Sequence, residues 1–277
     1  MPTRVKAQFQ ERADREGRGT RRDESYTAYI QVRRGDLASH GRSHYVPSIL
    51  TSRHHDVLSD LELHVLWHLQ QLDPAEIREG MPLLWEGVEP EFTWTEVTVG
   101  TLEIAKLLGV RHPMLSEDAP FRMTTDFLVT LRGKSHVAVH VKYWRELDDE
   151  RNVEMRRIEE EYWRRRGVSF KVITEEDLNR TAIGNLAMFS SVDQEVVGLT
   201  SRQWLAEVAA LARFEPMNTA LEQVATTHGH TYGVAVNRIK MAVLKGHLRL
   251  DLTRGVLRWD EVWPAMVVTD LANPMLG

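Results

Sequence analysis

Residues Thr124–Trp144 read TTDFLVTLRGKSHVAVHVKYW, and this stretch indicates the fold of the chain. Two runs rich in Val, Leu, Phe and Thr lie on either side of an Arg-Gly-Lys tripeptide, which is typical of a turn. This pattern predicts a β-hairpin with strands at about 123–131 and 136–142. We therefore expect a sheet at the centre of this part of the chain.

The predicted hairpin carries charged side chains at positions that should line a core. Side chains alternate between the two faces of a strand, so His140 and Lys142 share a face. On the other strand, Asp126 can lie near Lys142 if the register brings both side chains to one side. For an isolated pair of opposite charges, a simple ion pair is the first interpretation.

The segments before and after the hairpin predict an α/β fold. Runs with helical periodicity alternate with short runs typical of strands. The predicted elements are a helix at 57–72, a short apolar strand at 81–84, a helix at 101–110, a charged helix at 146–166 and a strand at 168–173. A long helix between two strands is the connection that parallel pairing requires. We therefore expect a mixed sheet flanked by helices.

Glu62 stands on the apolar seam of the first predicted helix. It comes four residues after Leu58 and four before Leu66, so its carboxylate should face the interior, where it needs a partner. A second interpretation is local, because Ser59-Asp60-Leu61-Glu62 fits a capping box, in which the glutamate binds the backbone of the first turn. Both interpretations stay open at this point.

Composition limits the classes of protein to consider. The chain has 277 residues, of which 42% are hydrophobic, enough for one large domain or two smaller ones. It has no cysteine, which excludes disulfides and Cys-based zinc or redox chemistry. No apolar stretch has the length of a signal peptide or a membrane span, so we expect a cytoplasmic protein that does not bind membranes.

Charge is distributed unevenly along the chain. The net charge is −5, yet residues 1–48 hold 10 Lys and Arg against 6 Asp and Glu. This basic N-terminal arm could follow a DNA backbone, or it is a solvated, flexible terminus. We predict an arm at 1–48, an α/β domain at 49–181 and a separate C-terminal module at 182–277.

The C-terminal module predicts a different architecture from the α/β domain. Short amphipathic helices at 204–211, 221–227 and 234–245 precede two strands around Thr253-Arg254-Gly255. Three short helices and a two-stranded ribbon are the parts of a winged helix, which commonly binds DNA. Docking of another protein is an equally good interpretation, since the module is not strongly basic.

Two carboxylates and a lysine at one edge of a sheet can cleave a phosphodiester bond. Asp and Glu oxygens bind Mg²⁺, which keeps waters and takes its remaining ligands from a phosphate. The metal lowers the pKa of a bound water, while the lysine orients that water and neutralises developing charge. Mn²⁺ should substitute for Mg²⁺. Glu62, Asp126 and Lys142 therefore predict a metal-dependent nuclease.

A series of sequence blocks between about residues 40 and 180 carries a family resemblance. The blocks are GRSHYVPS, HHDVLSDLELHVL, AEIREGMPLL, GVRHPML, MTTDFLV, AVHVK and ERNVEMRRIEEEYWRRRGVSF. In their order and approximate spacing they resemble the TnsA family of transposon-end endonuclease subunits, which belongs to the restriction-endonuclease-like nucleases. The resemblance implies that Glu62, Asp126 and Lys142 are catalytic, and that the backbone carbonyl of Val141 binds the metal.

The sequence departs from that family at one position of the site. Family members usually have Gln, and many relatives have Glu, two residues before the catalytic lysine, where this chain has His140. An imidazole can bind a metal, although it prefers softer ions than Mg²⁺ and is cationic when protonated. His140 is therefore a candidate catalytic residue and metal ligand, a contact to DNA or water, or a change that weakens activity.

The resemblance also implies partners. A TnsA-type protein cuts one strand at the 5′ ends of a cut-and-paste transposon, while a TnsB-like DDE transposase cuts and joins the 3′ ends. A TnsC-like AAA+ ATPase docks on the C-terminal part of the TnsA-type subunit. Two alternatives use the same fold: a stand-alone restriction or repair endonuclease, and a non-catalytic factor that assembles the transposition complex.

Overall fold

The computed structural model of the chain describes residues 3–32, 41–72, 74–87, 99–117, 119–192 and 200–269. The helices are α1 (Thr3–Arg15), α2 (Asp60–Gln70), α3 (Thr101–Leu108), α4 (Glu150–Arg165), α5 (Arg180–Ser190), α6 (Arg202–Leu211), α7 (Met217–Thr227) and α8 (Tyr232–Leu244). The strands are β1 (His44–Pro47), β2 (His54–Val57), β3 (Glu76–Pro82), β4 (Met114–Ser116), β5 (Ala119–Pro120), β6 (Thr124–Thr130), β7 (His136–Val141), β8 (Ser169–Ile173), β9 (Leu248–Arg249) and β10 (Val267–Val268). Within these ranges, no helix is both long and apolar enough to cross a membrane.

The chain divides into two compact units. The first comprises Met1–Val65 and Pro74–Asp177, and the second comprises Leu66–Asp73 and Leu178–Gly277. This division differs from the predicted domains, because the basic arm belongs to the first unit and the end of α2 belongs to the second. The predicted C-terminal boundary lies close to the observed one.

The first unit is built on a four-stranded mixed sheet in the order β3-β6-β7-β8. The predicted hairpin forms its middle, since β6 and β7 are antiparallel with Phe127 opposite Val139. On the other side of β7, β8 pairs in parallel and places Lys171 opposite Val139. α4 connects these two parallel strands. The mixed α/β architecture predicted from the sequence is therefore confirmed.

One apolar face of α4 fixes the helix in the first unit. The helix begins after Asp149, whose carboxylate accepts a hydrogen bond from an N–H of the first turn at 3.0 Å. Ile158, Tyr162 and Trp163 are fully buried in the same apolar cluster as residues of the sheet. The Trp163 indole N–H donates to the Thr125 hydroxyl of β6 at 2.6 Å, which gives this buried ring one orientation.

β3 begins at Glu76, well before the apolar segment at 81–84 that predicted it. The start of the strand could not be predicted from the sequence, because Glu79, a charged residue, is buried in the strand. Its carboxylate accepts hydrogen bonds from Arg53 at 2.8 Å and contacts His55 Nδ1 at 2.7 Å. Burial alone would raise the pKa of Glu79, but His55 and Arg53 hold it at about 2.

The predicted helix at 57–72 is too long at its beginning. Residues His54–Val57 form β2, which pairs with β1 as an antiparallel hairpin, and α2 begins only at Asp60. The prediction extended the helix into the strand because Val57 and Leu58 fit the helical spacing of the apolar residues that follow. The two-residue period of such a short strand does not exclude a helix.

α1 packs within the first unit, although the N-terminus was predicted to be a separate arm. Phe9 and Ala13 are buried, and the Phe9 ring meets the Tyr29 ring edge-on, with 5.4 Å between centroids. Arg18 is also buried and donates to the Tyr29 carbonyl at 3.1 Å. The flexible interpretation is therefore wrong for residues 3–32, and contact of the arm with DNA stays a prediction. The rest of the arm up to residue 40 lies outside the described residues.

The second unit contains α5 to α8 around an apolar core, which includes Trp204, Leu205, Val208, Leu221, Ile239 and Leu244. The ribbon predicted around Thr253-Arg254-Gly255 is wrong, because β9 pairs with β10 instead. Asn185 of α5 explains the difference. Its amide donates to the Leu252 and Gly255 carbonyls at 2.8 Å, and its side-chain oxygen accepts from the Leu257 N–H at 2.8 Å. A side chain thus satisfies backbone groups that a strand would have paired, and the winged-helix-like assignment stays a prediction.

Candidate active site

Asp126 lies on β6 beside the end of β7. Its Oδ2 accepts a hydrogen bond from the Val141 N–H at 2.6 Å. The N–H and C=O of one strand residue point to the same neighbouring strand, so the Val141 carbonyl is also directed toward the Asp126 side. Burial raises the pKa of Asp126 to about 6; His140 opposes this rise, and Glu159 adds to it.

Glu62 lies in the first turn of α2, where it completes a capping box. Its N–H donates to Ser59 Oγ at 3.1 Å, and its carboxylate accepts from the Ser59 hydroxyl at 3.2 Å and from the Leu58 N–H at 2.8 Å. The local interpretation of Glu62 is therefore confirmed. Residues of the hairpin also affect the pKa of this carboxyl. Burial, the largest cause, and the charge of Asp126 raise the pKa to about 8, while Lys142 lowers it.

Lys142 follows β7 directly. Its backbone N–H donates to the Ile173 carbonyl at 3.1 Å, which holds this position against the end of β8. The ammonium lies 3.3 Å from a carboxylate oxygen of Glu146. It also lowers the pKa of both Glu62 and Asp126. The structure thus brings the three predicted side chains into one electrostatic neighbourhood, although they are far apart in sequence.

His140 is held by Glu159, a residue of α4. His140 Nδ1 lies 2.9 Å from Glu159 Oε2 and 3.8 Å from Asp126 Oδ2. Burial alone would lower the pKa of His140, but Glu159 and Asp126 outweigh burial and raise it to about 9. The two carboxylates therefore favour the protonated imidazole. When the ring is protonated, both nitrogens donate; when it is neutral with its proton on Nδ1, Nε2 has a lone pair that can bind a metal.

Glu159 was not among the predicted site residues. Only 2% of its surface is exposed, and its Oε1 has no hydrogen-bond partner in the part of the chain that the structure describes. A sequence signal was present, because Glu159 falls on the same helical face as Met155, Ile158 and Tyr162. A carboxylate on the face that packs against a sheet needs a partner, and here that partner is His140.

The oxygen donors of the site suit a hard divalent cation. Among the described residues, no three His, Cys, Asp or Glu side chains form a cluster that could hold a metal. Mg²⁺, however, is bound by one or two carboxylates and otherwise by water and phosphate, so Glu62, Asp126 and the Val141 carbonyl fit it. Burial is the largest cause of the raised pKa of both carboxyls, and a bound cation would stabilise their charged forms. His140 as a metal ligand stays a prediction, in which Glu159 would hold Nδ1 and Nε2 would bind the ion.

Two comparisons with known proteins bear on this site. Residues 88–175 match the family described as TnsA-like endonuclease N terminal. The chain is also 28% identical over 247 residues to the transposon Tn7 transposition protein TnsA of Escherichia coli, which covers 86% of this chain and 84% of that protein. The family match contains Asp126, His140, Lys142 and Glu159, whereas Glu62 lies before it.

Proposed function

We propose that this chain is a TnsA-type endonuclease that cuts one DNA strand at the 5′ ends of a cut-and-paste transposon, because residues 88–175 match the TnsA-like endonuclease family and the chain resembles Tn7 TnsA. The reaction is hydrolysis of a phosphodiester bond by water, with Mg²⁺ as cofactor. One observation carries the chemical part of the proposal. Glu62 and Asp126 sit close enough for one carboxylate to raise the pKa of the other, with Lys142 acting on both.

Each of these side chains has a distinct role in the proposed reaction. Glu62, Asp126 and the Val141 carbonyl would hold the divalent ion, which would supply an acidified water and positive charge beside the phosphate. Lys142 orients the attacking water and neutralises the charge that develops on the phosphate oxygens. For this step its ammonium leaves Glu146 for the phosphate, a movement that the flexible lysine side chain permits.

His140 takes a role different from that of the usual family glutamine. Of the three predicted alternatives, we propose the second, a hydrogen bond from the ring to DNA or to a water, because Glu159 and Asp126 raise the pKa of His140 and so favour the protonated ring. The ring then adds positive charge near the scissile phosphate, in keeping with its raised pKa. Glu159 fixes the ring orientation by binding Nδ1.

Partner proteins bring the nuclease to its DNA. From the family resemblance, a TnsB-like DDE transposase processes the 3′ ends, and a TnsC-like AAA+ ATPase docks on the winged-helix-like module at 182–277. The net charge of −5 supports recruitment by partners, because strong intrinsic DNA affinity requires a basic surface. Tethering by a partner raises the effective DNA concentration without new DNA contacts.

The proposal is tested with purified protein, its TnsB-like and TnsC-like partners and a plasmid that carries both transposon ends. We expect nicks at the 5′ ends, mapped to single nucleotides, that need Mg²⁺ or Mn²⁺ and disappear on addition of EDTA. Asp126→Asn should abolish them. Glu154→Gln is the matched control, because Glu154 forms an exposed ion pair with Arg111 and should leave nicking unchanged.

The same experiment separates the alternatives. Equal cleavage in the absence of both partners would indicate a stand-alone restriction or repair nuclease. If the Asp126→Asn protein yields the same transposition products as the wild type, the chain is an assembly factor and the hydrolytic proposal is wrong.

A further inference from the structure

A turn with an exposed aromatic ring follows the candidate catalytic lysine. Residues Trp144–Glu146 form a single 3-10 turn that begins two positions after Lys142. Trp144 is 63% exposed, which makes it the most exposed large apolar side chain among the described residues of the first unit. A single exposed aromatic ring is common on protein surfaces, so it is the position of Trp144 beside the candidate catalytic lysine that makes the ring a candidate contact to the substrate.

The turn holds its backbone in a defined place. The Trp144 N–H donates to Glu175 Oε2 at 2.8 Å, and the Glu146 N–H donates to the Tyr143 carbonyl at 2.9 Å. Trp144 is therefore presented from an ordered backbone, which lowers the entropy that a contact through its ring would lose.

We propose that Trp144 stacks on a nucleobase next to the scissile phosphate. This inference rests on the proposed function, since it takes Lys142 as the residue that meets that phosphate. Two residues of extended chain span at most about 7 Å, so the indole and the ammonium reach neighbouring nucleotides of one strand. Stacking on an aromatic ring tolerates any base, because every base has a π-face.

The charges around the turn favour a contact with a base over a contact with the phosphate backbone. Arg145 is the one cation on the turn itself; its side chain is 80% exposed and its guanidinium lies 5.6 Å from the Tyr143 ring. The acidic residues at 148–150 that follow are exposed and would repel phosphates. The flat ring of Trp144 suffers no such repulsion.

The test measures base stacking directly with 2-aminopurine, a fluorescent base that is quenched when it stacks. One probe is the transposon-end duplex, labelled on either side of the bond that the wild-type complex cuts. A second probe is a labelled single strand, which does not depend on any cleavage. Binding of the full-length protein with its partners is measured separately, in EDTA, by anisotropy of a dye at the far end of each probe.

The variants are Trp144→Ala, Trp144→Phe and, as the matched control, Phe214→Ala, which removes an 83% exposed aromatic ring from the second unit.

We expect wild type, Trp144→Phe and Phe214→Ala to quench the probes and Trp144→Ala to lose most of the quenching. In Mg²⁺, the Trp144→Ala variant should nick the ends roughly tenfold more slowly, in line with the loss of one stacked base. Equal quenching by wild type and Trp144→Ala would overturn the inference. A loss of partner binding with unchanged quenching would also overturn it, because the ring would then be a protein contact. Quenching that depends on Trp144 without any Mg²⁺-dependent nicking would support the stacking and refute the nuclease.

Discussion

At the scale of single residues, Glu62 has a structural and a proposed chemical role in one carboxylate. As the last residue of a capping box it satisfies the Leu58 N–H at the start of α2. As a neighbour of Asp126 it has a pKa raised to about 8 by burial and by that second carboxylate. These roles can be separated by substitution. Gln at this position can still close the capping box, but it carries no negative charge.

Glu62→Gln should abolish nicking and stabilise the fold at high pH. A carboxyl whose folded pKa lies above its unfolded value of 4.5 stabilises the protein fully below that value, and this stability is lost as pH rises toward 8. The variant has no such loss, so its melting temperature should exceed that of the wild type by several degrees at pH 8.5 and by little at pH 5. Saturating Mg²⁺ should raise the melting temperature of the wild type more than that of the variant. Ser59→Ala is the control: it costs about 1 kcal/mol of stability through the lost cap and should retain nicking.

The contact between His140 and Glu159 predicts strong coupling between two substitutions. His140→Gln restores the usual family residue but leaves Glu159 buried without its partner, which should destabilise the protein by about 3–5 kcal/mol. Adding Glu159→Gln removes the buried charge, so the double variant should be more stable than His140→Gln alone. Urea unfolding of all four proteins measures the coupling. Additive free energies of unfolding would show that the contact contributes nothing.

At the scale of elements, local patterns predict much of the first unit. The β6–β7 hairpin, α4 and β8 follow from two-residue and helical periods and from a Gly turn, so the position of Asp126 against Lys142 was accessible from the sequence. β1, β2 and the start of β3 were not, since β1 and β2 are only four residues long and the buried His55 and Glu79 become partners only in the folded chain. The pairing of His140 with Glu159 was missed for the same reason, because it joins a strand and a helix.

Glu79 of β3 offers a test of such long-range partners. Its pKa is lowered to about 2, so its interactions stabilise the fold above the unfolded pKa of 4.5, and this stability is lost as pH falls from about 4.5 toward 2. Glu79→Gln should therefore cost about 3–5 kcal/mol at pH 7 and much less near pH 2. Glu154→Gln is the comparison, since Glu154 also has a pKa of about 2 but is only partly buried and pairs with the exposed Arg111. Urea unfolding at several pH values should show a marked effect for the first variant and little for the second.

At the scale of the whole molecule, the chain crosses between its two units inside a helix. α2 begins in the first unit, and residues Leu66–Asp73 belong to the second. No local pattern marks this boundary, because the apolar spacing of α2 runs through it without a break. The predicted division at 181/182 followed a change in sequence character and so lies near only the last of the three crossings, at 177/178.

Gln71 makes this assignment measurable within the second unit. Its side-chain amide donates to the Val243 carbonyl at 2.8 Å and to the Leu244 carbonyl at 3.2 Å, at the end of α8. Gln71→Ala leaves both carbonyls without this donor and should destabilise the second unit by about 1–3 kcal/mol. Hydrogen exchange in α8 should accelerate accordingly. Gln203→Ala, which removes an exposed bond to Glu207, is the control, and equal exchange in both variants would contradict the prediction.

The capping box at the start of α2 also limits which substitutions evolution can accept at position 62. A descendant that keeps only the assembly role no longer needs a carboxylate at position 62, yet it still needs a side chain that closes the first helical turn. Relatives that have lost the nuclease activity should therefore have Gln at position 62 and keep Ser59, rather than have Ala or an arbitrary residue at position 62.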